Sequence, residues 1–476
     1  MKVKMILPAL MEAADTEWRS LKYSLFPPLG LATLAGYLDE SDDVSICDEH
    51  VERLTLDDVP DLVVLQVYIT SAYRAYEIAD WYRARGVYVV MGGLHPTALP
   101  DECAVHADTI CLGPGEDTWP AFLADFRAGH PQKVYQSMTR TLAGQPPVRR
   151  DLIKRHLYLA PNSLVVSRGC PHRCDFCYKE AFFKGGKSFY TQTVDNALAQ
   201  MEDLPGRHLF FLDDNLFGDI RFAEALFDGM KGMNRVWQAA GTIQSIFVPG
   251  LMEKAVESGL RSLFVGFETL SASNLSEQNK LQNLDRDYNS AIRRLHALGV
   301  MVNGSFVLGM DHDGPDTPRQ TVEWAVEQGI ETATFHIMTP YPGTALHDRL
   351  VQEGRIISNN WDLYNTRHVV FQPARMTADE LESGYHQAYK DFYRWSAIIQ
   401  SARTKERPVD ALRHLAYVGG WKKMEPFWEL IIKAKRISGF LPLLESVLNG
   451  LGISRRVLDT HTSKAKSRSI ADRGKL

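Results

Sequence analysis

The 476-residue sequence predicts an α/β protein: an N-terminal Rossmann-like doubly wound domain, a central partial (β/α)6 TIM barrel and a C-terminal helical region. Three observations predict it. Short apolar runs alternate with helix-length stretches from the first residues to about residue 354. Runs such as DLVVLQVY are continuous rather than alternating, as in parallel strands buried on both faces. Glycines stand where four of the later helices must stop. The boundaries are 1–135 for the doubly wound domain, 136–160 for a linker, 161–365 for the barrel, 366–455 for the helical region and 456–476 for a disordered tail.

In the first domain Lys2–Leu7 reads as a strand and Pro28–Leu38 as a helix with Leu31, Leu34 and Leu38 along one side. Val44–Cys47, Asp61–Tyr68, Val87–Met91 and Thr109–Leu112 complete a five-stranded sheet, with helices over Ala75–Arg85 and up to about Arg127. Such sheets bind ligands beyond the carboxyl ends of their strands. That singles out the loops Ile69–Ser71, Gly92–Thr97 and Gly113–Glu116. Gln145–Arg150 (QPPVRR) has the composition of an extended connector.

Six strand–helix units follow. Their strands are Ser163–Ser167, His208–Leu212, Val236–Thr242, Ser262–Phe267, Val300–Leu308 and Thr332–Thr339, and helices stop at Gly259, Gly299, Gly329 and Gly354. Right-handed crossovers curl such units into a partial barrel, with the chemistry at the C-terminal ends of the strands. Beyond residue 376 the chain is helical and aromatic, with Tyr385, Tyr389, Phe392, Tyr393, Trp395, Trp421, Phe427 and Trp428. These rings form a cap packed on the barrel or, on a sharper reading, cover a substrate.

The formal net charge of −5 argues against a general affinity for nucleic acid or anionic membrane. No run of about 20 apolar residues is available to span a bilayer, and the N-terminal apolar run is too short for a secretory signal. Six cysteines, three of them clustered, suit a reducing cytoplasm better than a disulfide-stapled secreted protein.

The clustered three define the candidate centre. Ser167–Glu180 reads SRGCPHRCDFCYKE, so Cys170, Cys174 and Cys177 stand at C-x3-C-x2-C spacing on the loop after the first barrel strand. Iron–sulfur clusters normally take four cysteines. No fourth lies downstream, which leaves one iron of a [4Fe–4S] cubane open to a chelating small molecule. A zinc site would need His172 as a fourth ligand, and His172 would have to fold back within a tight loop.

With this loop on the first of six βα units, the sequence resembles the radical S-adenosylmethionine (SAM) superfamily over about 160–365. PPLGLATLAGYL (27–38), GGLHPT (92–97) and GPGED (113–117) resemble the cobalamin-binding-like domain that one subgroup carries at its N-terminus. The resemblance implies an enzyme whose cluster, on Cys170, Cys174 and Cys177, cleaves SAM to a 5′-deoxyadenosyl radical. It implies SAM contacts at Phe176, Asp213, Asp214, Gln244 and Ser305, although many relatives carry arginine near Gln244. Asp213 and Asp214 suit an ammonium group; the rival reading is a helix cap. Glu268, ending strand four, must have a partner if buried. Glu268, His336 and Tyr341 are the candidate catalytic groups, and TPYPGT (339–344) is a structural turn. Gly92, Gly93, His95, Gly113 and Glu116 are the candidate cofactor-binding positions of the first domain.

Asp48-Glu49-His50 lacks the glycine and the position of a cobalt-binding histidine motif. Two readings stay open: cobalamin bound without a histidine ligand, or a vestigial domain. The first implies C-methylation of a small-molecule secondary metabolite. The second implies cobalamin-independent dehydration of a 1,2-diol, as on an aminoglycoside-type sugar. A non-catalytic electron-transfer protein, the rival class, would supply the missing fourth ligand. SAM cleavage also implies a flavodoxin- or ferredoxin-type reductant as partner.

Overall fold

The computed structural model describes residues 1–10 and 25–420. Its first sheet consists of β1 (Lys2–Leu7), β2 (Asp43–Asp48), β3 (Leu62–Gln66), β4 (Tyr88–Gly92), β5 (Thr109–Leu112) and β6 (Val134–Gln136), in the order β2-β1-β3-β4-β5-β6. All pairings are parallel. The sheet therefore has six strands rather than the five read from sequence. In β6 only Tyr135 is buried between two exposed neighbours, too weak a pattern to read as a strand. Strand order reverses between β1 and β3, so the ligand crevice of a doubly wound sheet falls at their carboxyl ends.

The second sheet starts at β7 (Ser163–Leu164). The chain then swings out as β8 (Ser167–Gly169), which pairs antiparallel with β9 (Phe189–Thr191). The sheet resumes with β10 (His208–Phe211), β11 (Val236–Gly241), β12 (Leu260–Glu268), β13 (Met301–Leu308) and β14 (Thr332–Ile337), in the order β14-β13-β12-β11-β10-β7. The expected continuous strand Ser163–Ser167 is thus broken. Asp213 takes the Val166 and Ser167 amides at 3.0 and 2.5 Å, donors a continuing strand would give to its neighbour. The four expected helix stops, Gly259, Gly299, Gly329 and Gly354, all have left-handed φ. At Gly259 a Cβ would lie 2.0 Å from the Arg235 carbonyl, so no other residue fits.

One barrel edge is open at β14, and an unpaired edge exposes backbone donors and acceptors. Two tyrosines of the helix Ala378–Phe392 and its C-cap close it. The Tyr389 hydroxyl accepts from Phe335 N (3.1 Å) and donates to Phe335 O (3.2 Å). The Tyr393 hydroxyl does the same with Ala333, at 3.0 and 2.8 Å. Two further helices, Trp395–Arg403 and Pro408–Val418, follow. Trp421, Phe427, Trp428 and the tail lie outside the described residues.

The two sheets are tied together near the cysteine loop. Arg168 of β8 pairs with Glu116, at the start of the helix Gly115–Arg127, with Nε 2.8 Å from Oε1. Phe26 meets Phe210 edge to face at 4.8 Å. Both sheets thereby turn their carboxyl ends toward the same space.

Candidate functional site

The cysteine loop hangs between β8 and β9. Cys174 is buried and Cys170 and Cys177 are half-buried, and none is in a disulfide. Each thiol has a hydrogen-bond donor near it. Asn215 Nδ2 lies 3.7 Å from Cys170 Sγ, Gln282 Nε2 lies 3.4 Å from Cys174 Sγ, and the Lys179 amide donates to Cys177. Burial pushes the Cys177 thiol up to about 12, a penalty on the thiolate that iron ligation removes. Among the described residues no three His, Cys, Asp or Glu side chains converge as ligands of a single metal ion. A cubane asks something else of the chain: one thiolate for each of three separate irons. Three thiols on one loop, each with its own donor, fit that group.

The two aspartates that end β10 have different surroundings. Asp213 is buried and accepts from Val166 N, Ser167 N and Ser167 Oγ, the last at 2.6 Å. Burial pushes its carboxyl up to about 6 against those bonds. Asp213 therefore shapes the start of the loop, and its Oδ2 is left without a partner. Asp214 is exposed and accepts from Gly169 N (3.1 Å) and the Tyr178 hydroxyl (2.6 Å). Neither caps a helix: Asp219 caps the next one. Beside them, buried Asn215 has an unpartnered Oδ1.

Glu268 ends β12 at φ 63, a left-handed conformation that a non-glycine residue adopts only under constraint. Its partner is Lys280, with Nζ 2.7 Å from Oε1, and both residues are buried. The same Nζ stands 5.9 Å from the Phe176 ring. The segment carrying Lys280 straps the cysteine loop: the Gln278 carbonyl accepts from Asp175 N (3.1 Å), and Asn279 Nδ2 donates to the Arg173 carbonyl (2.7 Å). Lys280 and Gln282 carry no sequence signal, because only the folded chain brings them to the cysteines.

Two cavities flank this loop. The smaller, about 450 Å³, is walled by the carboxyl ends of the first sheet, with Gln66, Gly92, Gly93, Gly113 and Glu116, and by Val165, Arg168, Leu212 and Asp214 of the barrel. Its wall is glycine-rich for a reason. Gly93 has φ 115, and a Cβ there would lie 2.8 Å from the Val67 carbonyl. Such a backbone-walled apolar crevice at the strand-order reversal fits a large flat cofactor. The larger cavity, about 1040 Å³, is lined among others by Tyr68, His95, Tyr178, His336, Tyr341 and Tyr389. Tyr68, Leu94 and Tyr178 line both.

The structure groups the expected residues unevenly. Gly92, Gly93, Gly113 and Glu116 share the smaller cavity with Asp214, while His336 and Tyr341 line the larger. Burial pushes Tyr341 up to about 12, and burial lowers His336, whose Nδ1 lies 3.2 Å from Thr366 Oγ1. His95, read as a loop residue, is buried on the helix Leu94–Ala98 with Nε2 2.7 Å from the Tyr76 hydroxyl, and it faces the larger cavity. Glu268 and Ser305 line neither cavity; Ser305 is buried within β13. Gln244 does not end a strand. β11 stops at Gly241, and Gln244 is exposed on a one-turn helix capped by Thr242.

Comparisons with known proteins follow the same division of the chain. Residues 23–123 match the B12 binding domain, 164–325 the Radical SAM superfamily, and 344–436 a domain of unknown function, DUF4070. The chain is similar to the bacteriochlorophyllide d C-12(1)-methyltransferase of Chlorobaculum tepidum, at 28% identity over 79% of this chain and 85% of the relative. It is also similar to the bacteriochlorophyllide d C-8(2)-methyltransferase of that organism, at 26% identity over 78% and 86%. Among solved structures it shares its fold with the radical S-adenosylmethionine methyltransferase TsrM from Kitasatospora setae, solved with cobalamin and a [4Fe–4S] cluster. The TM-score is 0.63 at 14% identity, covering 92% of this chain and 99% of that one.

Proposed function

Because the chain belongs to the radical SAM superfamily, in the subgroup with an N-terminal B12-binding domain, we propose that it is an enzyme that methylates carbon in a small-molecule secondary metabolite. The observation that carries this reading is the pair of cavities with a common wall at Tyr68, Leu94 and Tyr178. A cofactor against the first sheet and a substrate beside the barrel would lie next to each other, as transfer of a group between them requires.

Cys170, Cys174 and Cys177 would hold the [4Fe–4S] cluster, and the wall from Gly92 to Glu116 would hold cobalamin. When bound, these groups supply the electron that cleaves SAM and a methyl carrier. The chain's own residues do the positioning. Asp213 fixes the turn out of β7, and the strap from Gln278 to Gln282 holds the cysteine loop from the other side. Asp214 and Tyr178, hydrogen-bonded to each other, offer polar groups at the edge of the smaller cavity. Phe176, packed against the barrel core, would flank the adenine of SAM. His336, kept neutral by burial, and Tyr341 line the larger cavity, where they would orient a substrate and accept or donate a proton. At about 1040 Å³ that cavity stands at the top of the usual range of ligand sites, which leaves room for a bulky substrate.

The reading also calls for a one-electron reductant of the flavodoxin or ferredoxin type. Six cysteines outside any disulfide suit a cytoplasmic location. No described helix is long and apolar enough to cross a membrane. The test is anaerobic purification after growth with cobalamin, followed by incubation of cell extract with methyl-labelled SAM. About four irons and one cobalamin per chain, with label in an extracted metabolite, is the expected result. Four irons, no cobalamin after reconstitution and no labelled product would overturn it in favour of a cobalamin-free radical reaction.

A further inference from the structure

On its outer side the cysteine loop borders a third hollow that neither SAM, cobalamin nor substrate uses in the reading above. This open groove, about 610 Å³, is lined by Pro171, Arg173, Lys179, Glu180 and the segment Phe183–Phe189. Pro171 and Arg173 lie between the first two cysteines, and Lys179 lies two residues beyond the third. Of the same stretch, Tyr178, Ala181 and Phe182 line the inner cavities, and Phe183 lines both the smaller cavity and the groove. The turn after the third cysteine therefore stands between this groove and the inner cavities, with Phe183 common to the groove and the smaller cavity.

The groove is basic in a chain of net charge −5. Four cations, Arg173, Lys179, Lys184 and Lys187, line it against one carboxylate, Glu180. Lys179 is spoken for, donating to the His172 carbonyl and pairing with Glu180 at 3.1 Å. Arg173, Lys184 and Lys187 are exposed, and none pairs with a carboxylate of the described residues. Beside the groove Met138 is 57% exposed and adjoins Gly185, where a Cβ would lie 3.5 Å from its sulfur. An exposed methionine next to a groove of like charges without carboxylate partners offers an apolar contact and a field complementary to an acidic partner.

We propose that this groove, through Arg173, Lys184 and Lys187, docks the acidic face of a small one-electron carrier protein that reduces the cluster. The inference rests on the cluster reading above. One electron leaves the carrier and enters the cluster on Cys170, Cys174 and Cys177; no bond and no proton is exchanged at this surface. Docking here puts the carrier one loop away from the cluster without entering either reaction chamber. The lip Lys184-Gly185-Gly186-Lys187 presents two of the cations on backbone with no side chain between them to obstruct approach.

The test uses the full-length protein with its cluster reconstituted, and the Lys184→Glu/Lys187→Glu double variant. Cluster reduction is followed directly by visible absorbance and electron paramagnetic resonance, with reduced acidic flavodoxin or with dithionite as donor. At low ionic strength the variant should be reduced by flavodoxin about tenfold or more slowly than wild type, with added salt narrowing the gap. Its reduction by dithionite should stay within about twofold, and Lys184→Arg/Lys187→Arg should restore the flavodoxin rate. Equal flavodoxin rates for wild type and the Glu variant at low salt would overturn the docking site, as would equal slowing with both donors. A wild-type protein that assembles no cluster would instead overturn the underlying reading.

Discussion

The two ends of the barrel both bury an ion pair, and they are built to opposite purposes. At the amino ends of β13 and β14, Glu331 has both oxygens engaged: Oε1 by Lys405, and Oε2 by Val302 N (2.9 Å) and His296 Nε2 (3.2 Å). Burial pushes its carboxyl up, but His296 and Lys405 outweigh that and hold it well below the usual carboxylate range. At the carboxyl ends, Glu268 pairs with Lys280 from a left-handed backbone, and Asp213 Oδ2, Asn215 Oδ1 and Asn283 Oδ1 have no partner among the described residues. Buried polar atoms without partners are costly unless something binds them. At the lower end the buried carboxylate itself is fully engaged, and the atoms left without a hydrogen-bond partner there include Arg261 Nε and His414 Nδ1. At the upper end two of the unpartnered oxygens belong to Asp213 and Asn215, which contact the start of the cysteine loop, where a bound group would reach them.

The comparison breaks most sharply at the cysteines. Cys174→Ala should reduce iron content and SAM turnover to below detection, while thermal unfolding in the apo state shifts by no more than about 1 kcal/mol. Retained iron and turnover would mean that the upper end does not hold a cluster. Lys405→Met should do the reverse. Leaving Glu331 buried without its cation should cost about 3–5 kcal/mol of stability, with turnover per folded molecule unchanged. The pH arm fixes the sign. Because the folded-state pKa of Glu331 is depressed, its contribution is present above the unfolded value and lost as pH falls through the folded one. Wild-type and variant stabilities should therefore converge on acidification.

Asp213 sharpens the contrast because its shift runs the other way. Its carboxyl is raised to about 6, so the stability it contributes is full below the unfolded pKa and lost as pH rises through about 6. Asp213→Asn keeps an oxygen for the Val166 and Ser167 amides. It should unfold with a flatter pH dependence between about pH 4 and 7, the difference amounting to at most about 3 kcal/mol. Asp213→Ala leaves those amides unpaired and should lose about 1–3 kcal/mol. If both variants show the wild-type pH slope in chemical denaturation, Asp213 is not the buried titrating group of the turn.

Sequence alone makes the layers of this molecule legible and its joints much less so. A continuous apolar run marks β3, and helix-stop glycines mark the repeats, because burial and φ leave local traces. The break between β7 and β8 leaves none, since its cause is a carboxylate 46 residues away that takes the Ser167 amide. In the same way C-x3-C-x2-C is visible as spacing, and the GGLHP and GPGE turns as glycine patterns at strand ends. The partners that finish the site, Lys280 on Glu268 and Arg168 on Glu116, are ordinary charged residues until the chain folds. Edge-sealing Tyr389 and Tyr393 are readable only as aromatic residues on a helix.

Two glutamines give the finest form of the comparison. Gln244, read from sequence as a SAM contact, is exposed on a helix of a single turn and touches neither cavity. Gln282, unmarked in sequence, is buried and donates to Cys174 Sγ at 3.4 Å. A donor on a cysteine sulfur stabilises the more negative, reduced state of a cluster and so raises its potential. Gln282→Leu should therefore lower the midpoint potential in a redox titration while iron content is retained, and Gln244→Ala should leave both the potential and SAM affinity unchanged. A weakened SAM affinity in Gln244→Ala would return that residue to the site. An unmoved potential in Gln282→Leu would reduce the strap to a purely mechanical role.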